Sequence, residues 1–150
     1  MTPLAAATMD TARGELGVCE QPLGSNSGPR VQFYQDYVGK WVEGQSWCCA
    51  FALWCIAHAA HTLGTESAIP KTASSSALYH WLRDNGKLLA KPEPGCIALV
   101  QGGPTGHEHT CLVESVDWTK RIVHTIDGNW GNKVQRVMHP LDGCDYGEIC

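Results

Sequence analysis

Hydrophobic residues recur at helical spacing through the first half of the chain. The segment "MTPLAAATMDTARGELG" predicts a first helix with Thr2 as its N-cap, Pro3 at the first helical position and Gly17 just past its end. The next stretch, residues 19–29, is rich in Gly, Pro and Ser and predicts a loop. A second helix is predicted over "RVQFYQDYVGK", ending at Gly39.

Two further helices are predicted before the pattern changes. The run "SWCCAFALWCIAHAAHTLG" is strongly apolar, begins after Gly44 and ends at Gly64, which predicts a buried central helix. The run "SSALYHWLRDNGK" predicts a fourth helix, stopped by Asn85 and Gly86.

The second half of the chain consists of short β-rich runs. Three of them, "PEPGCIALVQGG", "EHTCLVESVD" and "RIVHTIDGN", are bounded by turn residues and closely spaced, which predicts an antiparallel meander. A lone strand is predicted near "KVQRVMH", and the tail is left unassigned. Helices first and strands later indicate the α+β class, with N-terminal helices packed on a small antiparallel sheet in a single domain, residues 1–150.

Composition and charge exclude several classes of function. Of the 150 residues, 43% are hydrophobic and 17% are charged, as in globular proteins. The net charge is −4 and the basic residues are scattered, so we expect no nucleic-acid partner. The chain has neither a basic leader nor the roughly 20 apolar residues of a membrane span. We therefore expect no membrane insertion, no signal peptide and synthesis in the cytoplasm.

The cysteines set the main chemical question. A reducing cytoplasm disfavours disulfides, and the sequence has no C-x-x-C pair or other zinc-binding spacing. Most of the cysteines are therefore expected to be small buried residues. For the adjacent Cys48 and Cys49 in "GQSWCCAFALWC", core packing, a metal site, a disulfide and a catalytic nucleophile all remain open. The eight cysteines are at positions 19, 48, 49, 55, 96, 111, 144 and 150.

A cysteine nucleophile needs a lowered thiol pKa, a base within reach and a group that orients the base. Cys48 lies at a predicted helix start, where free N–H groups favour a thiolate and can form an oxyanion hole. His109 opens one predicted strand and Asp127 closes the next. One helix start and two neighbouring strands can bring these three side chains to one edge of the sheet.

Strand alternation adds a prediction about the faces of the sheet. Two sets of residues are each expected to share a face that points toward the central helix, while His124 points away. These sets are His109, Cys111 and Val113, and Val123, Thr125 and Asp127.

Several segments carry family-like motifs in the same order along the chain. The run "GQSWCCAFALW" is similar to G-x-x-W-C-A-A-F, and "ELGVCEQPLGSNSGPRVQFYQDYVG" has Glu-x-Pro, Gly-Ser-Asn and Gly-Pro elements. The runs "PGCIALV", "HEHTCLVESVD" and "IVHTIDGNWGNKV" are similar to P-G-D-[IV], G-H-[VT]-G-[IL]-V and I-[DE]-G-N. Over about residues 14 to 134 the chain thus resembles the CHAP family (cysteine, histidine-dependent amidohydrolases/peptidases), within the NlpC/P60-like papain-type group.

The resemblance implies a papain-like fold and a role for each matched residue. Cys48 is the implied nucleophile, His109 the base, Asp127 the residue that orients the base, and Asn129 a neighbouring polar member of the site. The implied reaction is hydrolysis of amide bonds in bacterial peptidoglycan through a thioester, as an N-acetylmuramoyl-L-alanine amidase or an endopeptidase. For Asp127 the alternative is a simple turn residue, because Asp-Gly favours tight turns.

The chain departs from the family pattern at three positions. Cys49 stands where the motif has alanine, Cys96 where it has aspartate, and Cys111 where it has glycine. Cys49 is expected to point into packing or a side wall of the site, since it lies 100° around the helix from Cys48. Calcium-binding members have an acidic D-x-D loop before the nucleophile, and here only Glu43 is available. We therefore expect no metal and no cofactor.

Five residues are candidates for binding substrate or lining the cleft. Trp47 and Trp130 flank the predicted site in sequence and can stack on a sugar or peptide, or pack in the core. Asn26, with Glu20 and Ser25, can line the cleft or merely shape the loop.

Three other histidines are assigned to the surface. His107 is expected to be a loop residue beside Gly106. His58 and His61 are expected on the surface of the central helix.

The predicted partner is peptidoglycan, reached at the cell wall in the periplasm or outside the cell by a monomer. Delivery is expected through a membrane-permeabilising holin, as for a phage lysin, or through a secretion system. Two alternatives remain open: a thiol peptidase acting on a peptide outside the wall, and a cysteine-rich metal-binding or redox module.

Overall fold

The computed structural model describes residues 1–150. It contains four α-helices and six β-strands, with single turns of 3-10 helix at Lys40–Val42 and Leu141–Gly143. The helices are α1 (Pro3–Gly14), α2 (Pro29–Val38), α3 (Cys48–Thr62) and α4 (Ser75–Asp84). The strands are β1 (Leu88–Leu89), β2 (Ile97–Gln101), β3 (His107–Asp117), β4 (Ile122–Trp130), β5 (Lys133–Pro140) and β6 (Cys144–Gly147).

Local capping explains where the helices begin. The Thr2 hydroxyl accepts a hydrogen bond from the Ala5 N–H at 3.1 Å, which confirms the predicted start of α1. Ser74 caps α4 in the same way. The end of α1 was predicted too late, because the helix stops at Gly14 and Gly17 lies in the following turn with φ +92°.

Helix α3 is the central helix, as predicted. It packs against α1, α2, β3 and β4. Its N-cap residue, Trp47, makes no side-chain capping bond. The first N–H groups of α3 therefore have no capping side chain, and Cys48 is the first residue of that turn.

The strands form one antiparallel sheet in the order β1-β6-β2-β3-β4-β5. The predicted meander is confirmed over β2, β3 and β4. The strand predicted near "KVQRVMH" is present as β5, but it is not a lone strand, because it pairs with β4. The unassigned tail supplies β6, which lies between β1 and β2. The fold is thus α+β, with the helices on an antiparallel sheet.

Both faces of the sheet carry apolar clusters. Leu99, Leu112 and Ile126 belong to the cluster that includes α3. Cys111 and Val113, with Val123, belong to a second cluster that contains no residue of the four α-helices.

Cys111, Val113 and Val123 therefore share a face, but that face points away from α3, and the predicted direction is wrong. His124 alternates with Ile126 and so takes the helix side of β4. Since the residues on both faces of these strands are apolar, alternation alone does not identify which face meets the helix.

Two β-bulges lie beside the predicted catalytic residues. The pairing changes from Val100–His109 to Gln101–His107, so Glu108 is an extra residue in β3. A second irregularity lies between Asp127 and Trp130 in β4. A bulge turns the neighbouring side chains to a new direction.

None of the four helices combines the length and the apolar character that crossing a membrane requires.

Candidate active site

Cys48 lies where two helix starts meet the sheet. The residue is 5% exposed, and its Sγ atom lies 3.9 Å from Ser75 Oγ and 3.9 Å from the carbonyl oxygen of Glu108. Ser75 begins α4, and its hydroxyl lies 2.7 Å from Thr110 Oγ1 in β3. The sulfur is therefore held between the N-termini of α3 and α4 and the bulged end of β3.

Neighbouring strands bring His109 and Asp127 together. His109 Nε2 lies 2.7 Å from Asp127 Oδ2, and the two side chains are 14% and 0% exposed. Because Nε2 contacts the carboxylate, Nδ1 is the ring nitrogen left to interact with Cys48. The structure thus places the three residues of the predicted triad in one site.

Asp127 has two further partners. Thr125 Oγ1 donates a hydrogen bond to Asp127 Oδ1, and His139 Nε2 lies 2.8 Å from Asp127 Oδ2. His139 is 4% exposed and is located on β5, opposite Val123. His139 is absent from the predicted site, because the strand at "KVQRVMH" was predicted without a pairing partner and so without neighbouring residues. Its imidazole reaches the site only through the pairing of β5 with β4.

Burial disfavours the charged forms of Cys48, His109 and Asp127, whereas the contacts among these three side chains stabilise the charged forms. Burial raises the pKa of Cys48, but the hydrogen bonding and charge of His109 outweigh it, so the net pKa of Cys48 is lowered. Burial lowers the pKa of His109, yet Asp127 and Cys48 raise it to about 9. Burial also raises the pKa of Asp127, but hydrogen bonds from His109 and His139 lower it overall. These directions favour a thiolate beside an imidazolium.

The second thiol of the pair, Cys49, points into packing as predicted. It has no exposed surface, and its Sγ lies 3.4 Å from the carbonyl oxygen of Thr72. Burial raises its pKa, with the neighbouring Cys48 adding to the effect. The two adjacent cysteines therefore lie in opposite electrostatic environments.

Trp130, Asn129 and Asn26 differ in what they offer a substrate. Trp130 is 41% exposed, and its ring centroid lies 5.0 Å from that of His109. Asn129 has φ +59°, and its Nδ2 donates to Ser46 Oγ at 3.2 Å. Asn26, with φ +53°, accepts from Gln35 Nε2 through its backbone oxygen, a contact that shapes the loop.

Trp47 requires a correction. It was predicted as a substrate contact, but its side chain is fully buried. Its ring stacks with Tyr34, and its Nε1 donates to Glu20 Oε2 at 2.8 Å. Trp47 thus belongs to the core, where Glu20 satisfies the indole N–H. Glu20 also accepts from the Gly24 N–H, so it shapes the loop.

His107 also differs from its prediction. It opens β3 instead of lying in a loop, with Nε2 2.6 Å from Asp145 Oδ2 and its ring stacked on Tyr79 at 3.9 Å. The bulge at Glu108 turns it toward α4. His58 and His61 are exposed on α3, as predicted.

Cys111 lies beside the histidines and the aspartate of the site. Two imidazoles, a thiol and a carboxylate are all metal ligands, so the group has the composition of a metal site as well as of a catalytic one. The donor atoms of this group lie within 4.8 Å of one another and belong to His109, Cys111, Asp127 and His139.

Comparison with known proteins gives one match. Residues 40–129, more than half of the chain, match the family model of the CHAP domain. No curated protein matches the chain, and no solved structure matches it. The matched range begins before α3 and ends two residues after Asp127, so it includes Cys48 and His109. The chain therefore belongs to the CHAP family, and with it to the cysteine- and histidine-dependent amidohydrolases and peptidases.

Proposed function

We propose that this protein hydrolyses amide bonds of bacterial peptidoglycan with Cys48 as nucleophile, His109 as base and Asp127 as the orienting carboxylate. The observation that carries the proposal is that the buried Cys48 shares one site with His109, whose Nε2 lies 2.7 Å from the buried Asp127 carboxylate, an arrangement that lowers the pKa of Cys48. Cysteine amidohydrolases need this combination, since the thiolate is the attacking species. The wall substrate is proposed because CHAP domains often act on peptidoglycan.

The reaction proceeds through a thioester. His109 takes the proton of Cys48, and Sγ attacks the amide carbon to give a tetrahedral oxyanion. Protonated His109 then donates its proton to the leaving nitrogen as the C–N bond breaks. In the second half, His109 deprotonates a water that attacks the thioester carbon, the C–S bond breaks and the acid is released.

The oxyanion is stabilised at the start of α3. The backbone N–H of Cys48 lies in the first turn of that helix, where N–H groups have no intrahelical acceptor, and no side chain caps the helix. A developing negative charge there also meets the positive end of the helix dipole. Preorganised donors of this kind contribute about 3–4 kcal/mol in other hydrolases.

Asp127 fixes the tautomer and orientation of His109. The carboxylate accepts at Nε2 and so leaves Nδ1 facing the sulfur, as the reaction requires. Thr125 and His139 hold the carboxylate in turn, so it has little freedom to rotate. His139 is thus a positioning residue for Asp127.

The exposed side chain of Trp130 is proposed to contact the substrate. The half-exposed indole of Trp130 lies next to His109 and offers a flat apolar face to a sugar or a stem peptide. Asn129 and Asn26 are proposed as polar contacts. We further propose that residues 1–150 act as one monomeric domain at the cell wall, delivered by a holin or a secretion system.

The test uses purified peptidoglycan sacculi and mass spectrometry of the released fragments. Wild-type protein is expected to release fragments with new amine and carboxyl ends, and Cys48→Ser is expected to release none above background. Cys49→Ala is the matched control, because it alters the neighbouring buried thiol and should keep the activity. The mass of the fragments identifies which amide bond is cut.

Two outcomes would contradict the proposal. Release by Cys48→Ser at the wild-type rate would remove Cys48 as the nucleophile. In the second outcome, folded wild-type protein cuts no sacculi of any stem-peptide type but cleaves unrelated synthetic peptides, and Cys48→Ser abolishes that cleavage. This result would keep the mechanism and overturn the wall substrate.

A further inference from the structure

The catalytic pair belongs to a larger cluster of metal-ligating groups. His109 Nε2 and His139 Nε2 both contact the same oxygen of Asp127, at 2.7 and 2.8 Å. Cys111 lies two residues after His109 on β3, and its sulfur is within 4.8 Å of all three of these donor atoms. The mechanism uses neither Cys111 nor any reaction at His139.

We propose that His109, Cys111, Asp127 and His139 form a zinc-binding site, and that zinc bound there inhibits the hydrolase. The inhibitory part rests on the proposed function, and the binding part does not. The metal is not a cofactor of hydrolysis in this proposal, since it occupies two groups that the reaction needs free.

The donor set favours zinc over other common divalent ions. Two imidazoles, one thiolate and one carboxylate are the ligand types that Zn²⁺ takes in four-coordinate sites. Magnesium and calcium require oxygen ligands, so the thiol and the two imidazoles disfavour them.

The spacing of the donor atoms needs only small adjustments. In a tetrahedral zinc site the ligand atoms lie about 3.3–3.8 Å apart, given Zn–N and Zn–O distances near 2.1 Å and Zn–S near 2.3 Å. The two imidazoles would move away from Asp127 by about 0.6–1 Å, and the Cys111 sulfur would move inward by a similar amount. Rotations of side chains are enough for such shifts, because three neighbouring strands already supply all four ligands.

The surroundings of the cluster suit a neutral complex. Cys111 and Asp127 have no exposed surface, and His139 is 4% exposed. A buried charge is unfavourable unless it is paired or coordinated, and Zn²⁺ with one thiolate, one carboxylate and two neutral imidazoles carries no net charge. The Cys111 thiol has only a weak contact, to the Ala98 carbonyl oxygen at 3.8 Å, so little is lost when it turns to a metal.

Binding moves protons in a defined way. Cys111 loses its S–H proton to solvent and binds as the thiolate. Each imidazole binds through Nε2, which gives up its proton to solvent or to Nδ1, and is left as a neutral ring with one proton on Nδ1. Zinc-bound His109 is therefore no longer the imidazolium that protonates the leaving nitrogen. It also has no free nitrogen to accept a proton from Cys48 or from the attacking water, so hydrolysis stops until the metal leaves.

The binding test uses Co²⁺ and Zn²⁺ as probes on the reduced, full-length chain. The exposed thiols are first removed with Cys19→Ser and Cys150→Ser, so that adventitious sites contribute little. Co²⁺ is expected to give a thiolate charge-transfer band with the intense visible bands of a tetrahedral site, and Zn²⁺ is expected to displace it. The same spectrum is expected with Cys48→Ala added, because the proposed site does not include Cys48.

Variants at the proposed ligands decide the site. Cys111→Ala is expected to abolish the charge-transfer band and to weaken zinc binding by more than about 100-fold, since changes outside the ligand shell alone cost 10–100-fold. Cys111→Ser provides a second variant of nearly unchanged volume. Cys96→Ala, a buried cysteine of the same apolar cluster, is the matched control and should keep the band.

The outcomes separate the two parts of the proposal. Three results would each overturn the zinc site. The charge-transfer band is absent from the Co²⁺ spectrum, it survives in both Cys111 variants, or it is lost in Cys48→Ala. For inhibition, each rate with zinc is divided by the metal-free rate of the same protein, and Cys111→Ala should be much less inhibited than wild type. Bound zinc without inhibition would overturn the inhibitory role. Absence of hydrolysis in metal-free wild type would contradict the proposed function alone, because binding is read without a substrate.

Discussion

Asp127 is the residue on which the candidate site depends most. It has no exposed surface, and its two oxygens accept from Thr125, His109 and His139. A buried carboxylate with this many donors is stable as the anion, which is why its pKa lies below the ordinary value despite burial. Its hydrogen bond with His109 is also the largest of the effects that raise the pKa of His109.

The activity should therefore fall at both ends of the pH range. Hydrolysis is expected to decrease as the pH rises through about 9, because the His109 imidazolium that protonates the leaving group is lost. Below the lowered pKa of Cys48 it decreases again, since the thiolate is protonated. Initial rates on sacculi from pH 4 to 10 measure both limits.

Asp127→Asn should move the alkaline limit to lower pH, because the hydrogen bond to a carboxylate and the carboxylate's charge, which both raise the pKa of His109, are removed. The maximal rate should also fall by at least about 100-fold. Asp145→Asn is the matched control, since Asp145 contacts the other histidine of β3, His107, and should leave the limit near pH 9. An unchanged alkaline limit in Asp127→Asn would rule out Asp127 as the partner that sets the pKa of His109.

At the scale of elements, the contact between α3 and β4 sets the distance between the nucleophile and the carboxylate that orients the base. Gly128 lies in β4 directly after Asp127, and a Cβ atom there would lie 2.6 Å from the Cβ of Phe51 in α3. Such a distance is not tolerated without movement of one backbone. The absence of a side chain at Gly128 is what allows helix and strand to approach this closely.

Gly128→Ala is therefore expected to lower the free energy of unfolding by about 1–3 kcal/mol, the usual cost of overpacking. It should also reduce hydrolysis, since α3 carries Cys48. Gly14→Ala is the control, because the same change there meets nothing within 4 Å and should alter stability by no more than about 1 kcal/mol, in the stabilising direction. Urea unfolding measures both, and equal effects would contradict the role of the close approach.

Features with a local sequence signal were predictable, and features set by long-range pairing were not. The start of α3 at Cys48 follows from a glycine and an apolar run, and the contact of His109 with Asp127 follows from two successive strands. His139 enters through the register of β5, and that register includes the bulge after Asp127. The burial of Trp47 depends on Glu20, a partner 27 positions away in sequence.

At the scale of the whole molecule, Glu114 connects the helical layer to the sheet. Its carboxylate contacts Arg13 of α1 at 2.7 Å and Arg136 of β5 at 2.8 Å. The guanidinium of Arg136 is the first cause that lowers the pKa of Glu114, and Arg13 adds to it. The three side chains join elements from opposite ends of the chain.

Glu114→Gln should lower the free energy of unfolding by about 1 kcal/mol at neutral pH, a modest value because both arginines are partly exposed. A carboxylate whose folded pKa is lowered stabilises the protein above its unfolded pKa, near 4.3, and loses that effect as the pH falls through the folded value. The difference between wild type and variant should therefore be constant above about pH 5 and vanish in acid. Denaturation series at pH 3 and 7 measure it.

Asp142→Asn is the control for this ion pair, since Asp142 and its partner Arg121 are both exposed, and it should change stability less. A Glu114→Gln effect that persists unchanged at pH 3 would show that shape and not charge is responsible.

The place of β6 in the sheet has a consequence for synthesis on the ribosome. Cys144 and Tyr146 complete the apolar cluster on the far face, yet they are translated after every other strand. A nascent chain that already carries Cys48, His109 and Asp127 still has β2 exposed along one edge. The sheet is thus completed only once Gly147 has emerged, after all three of these residues have been made.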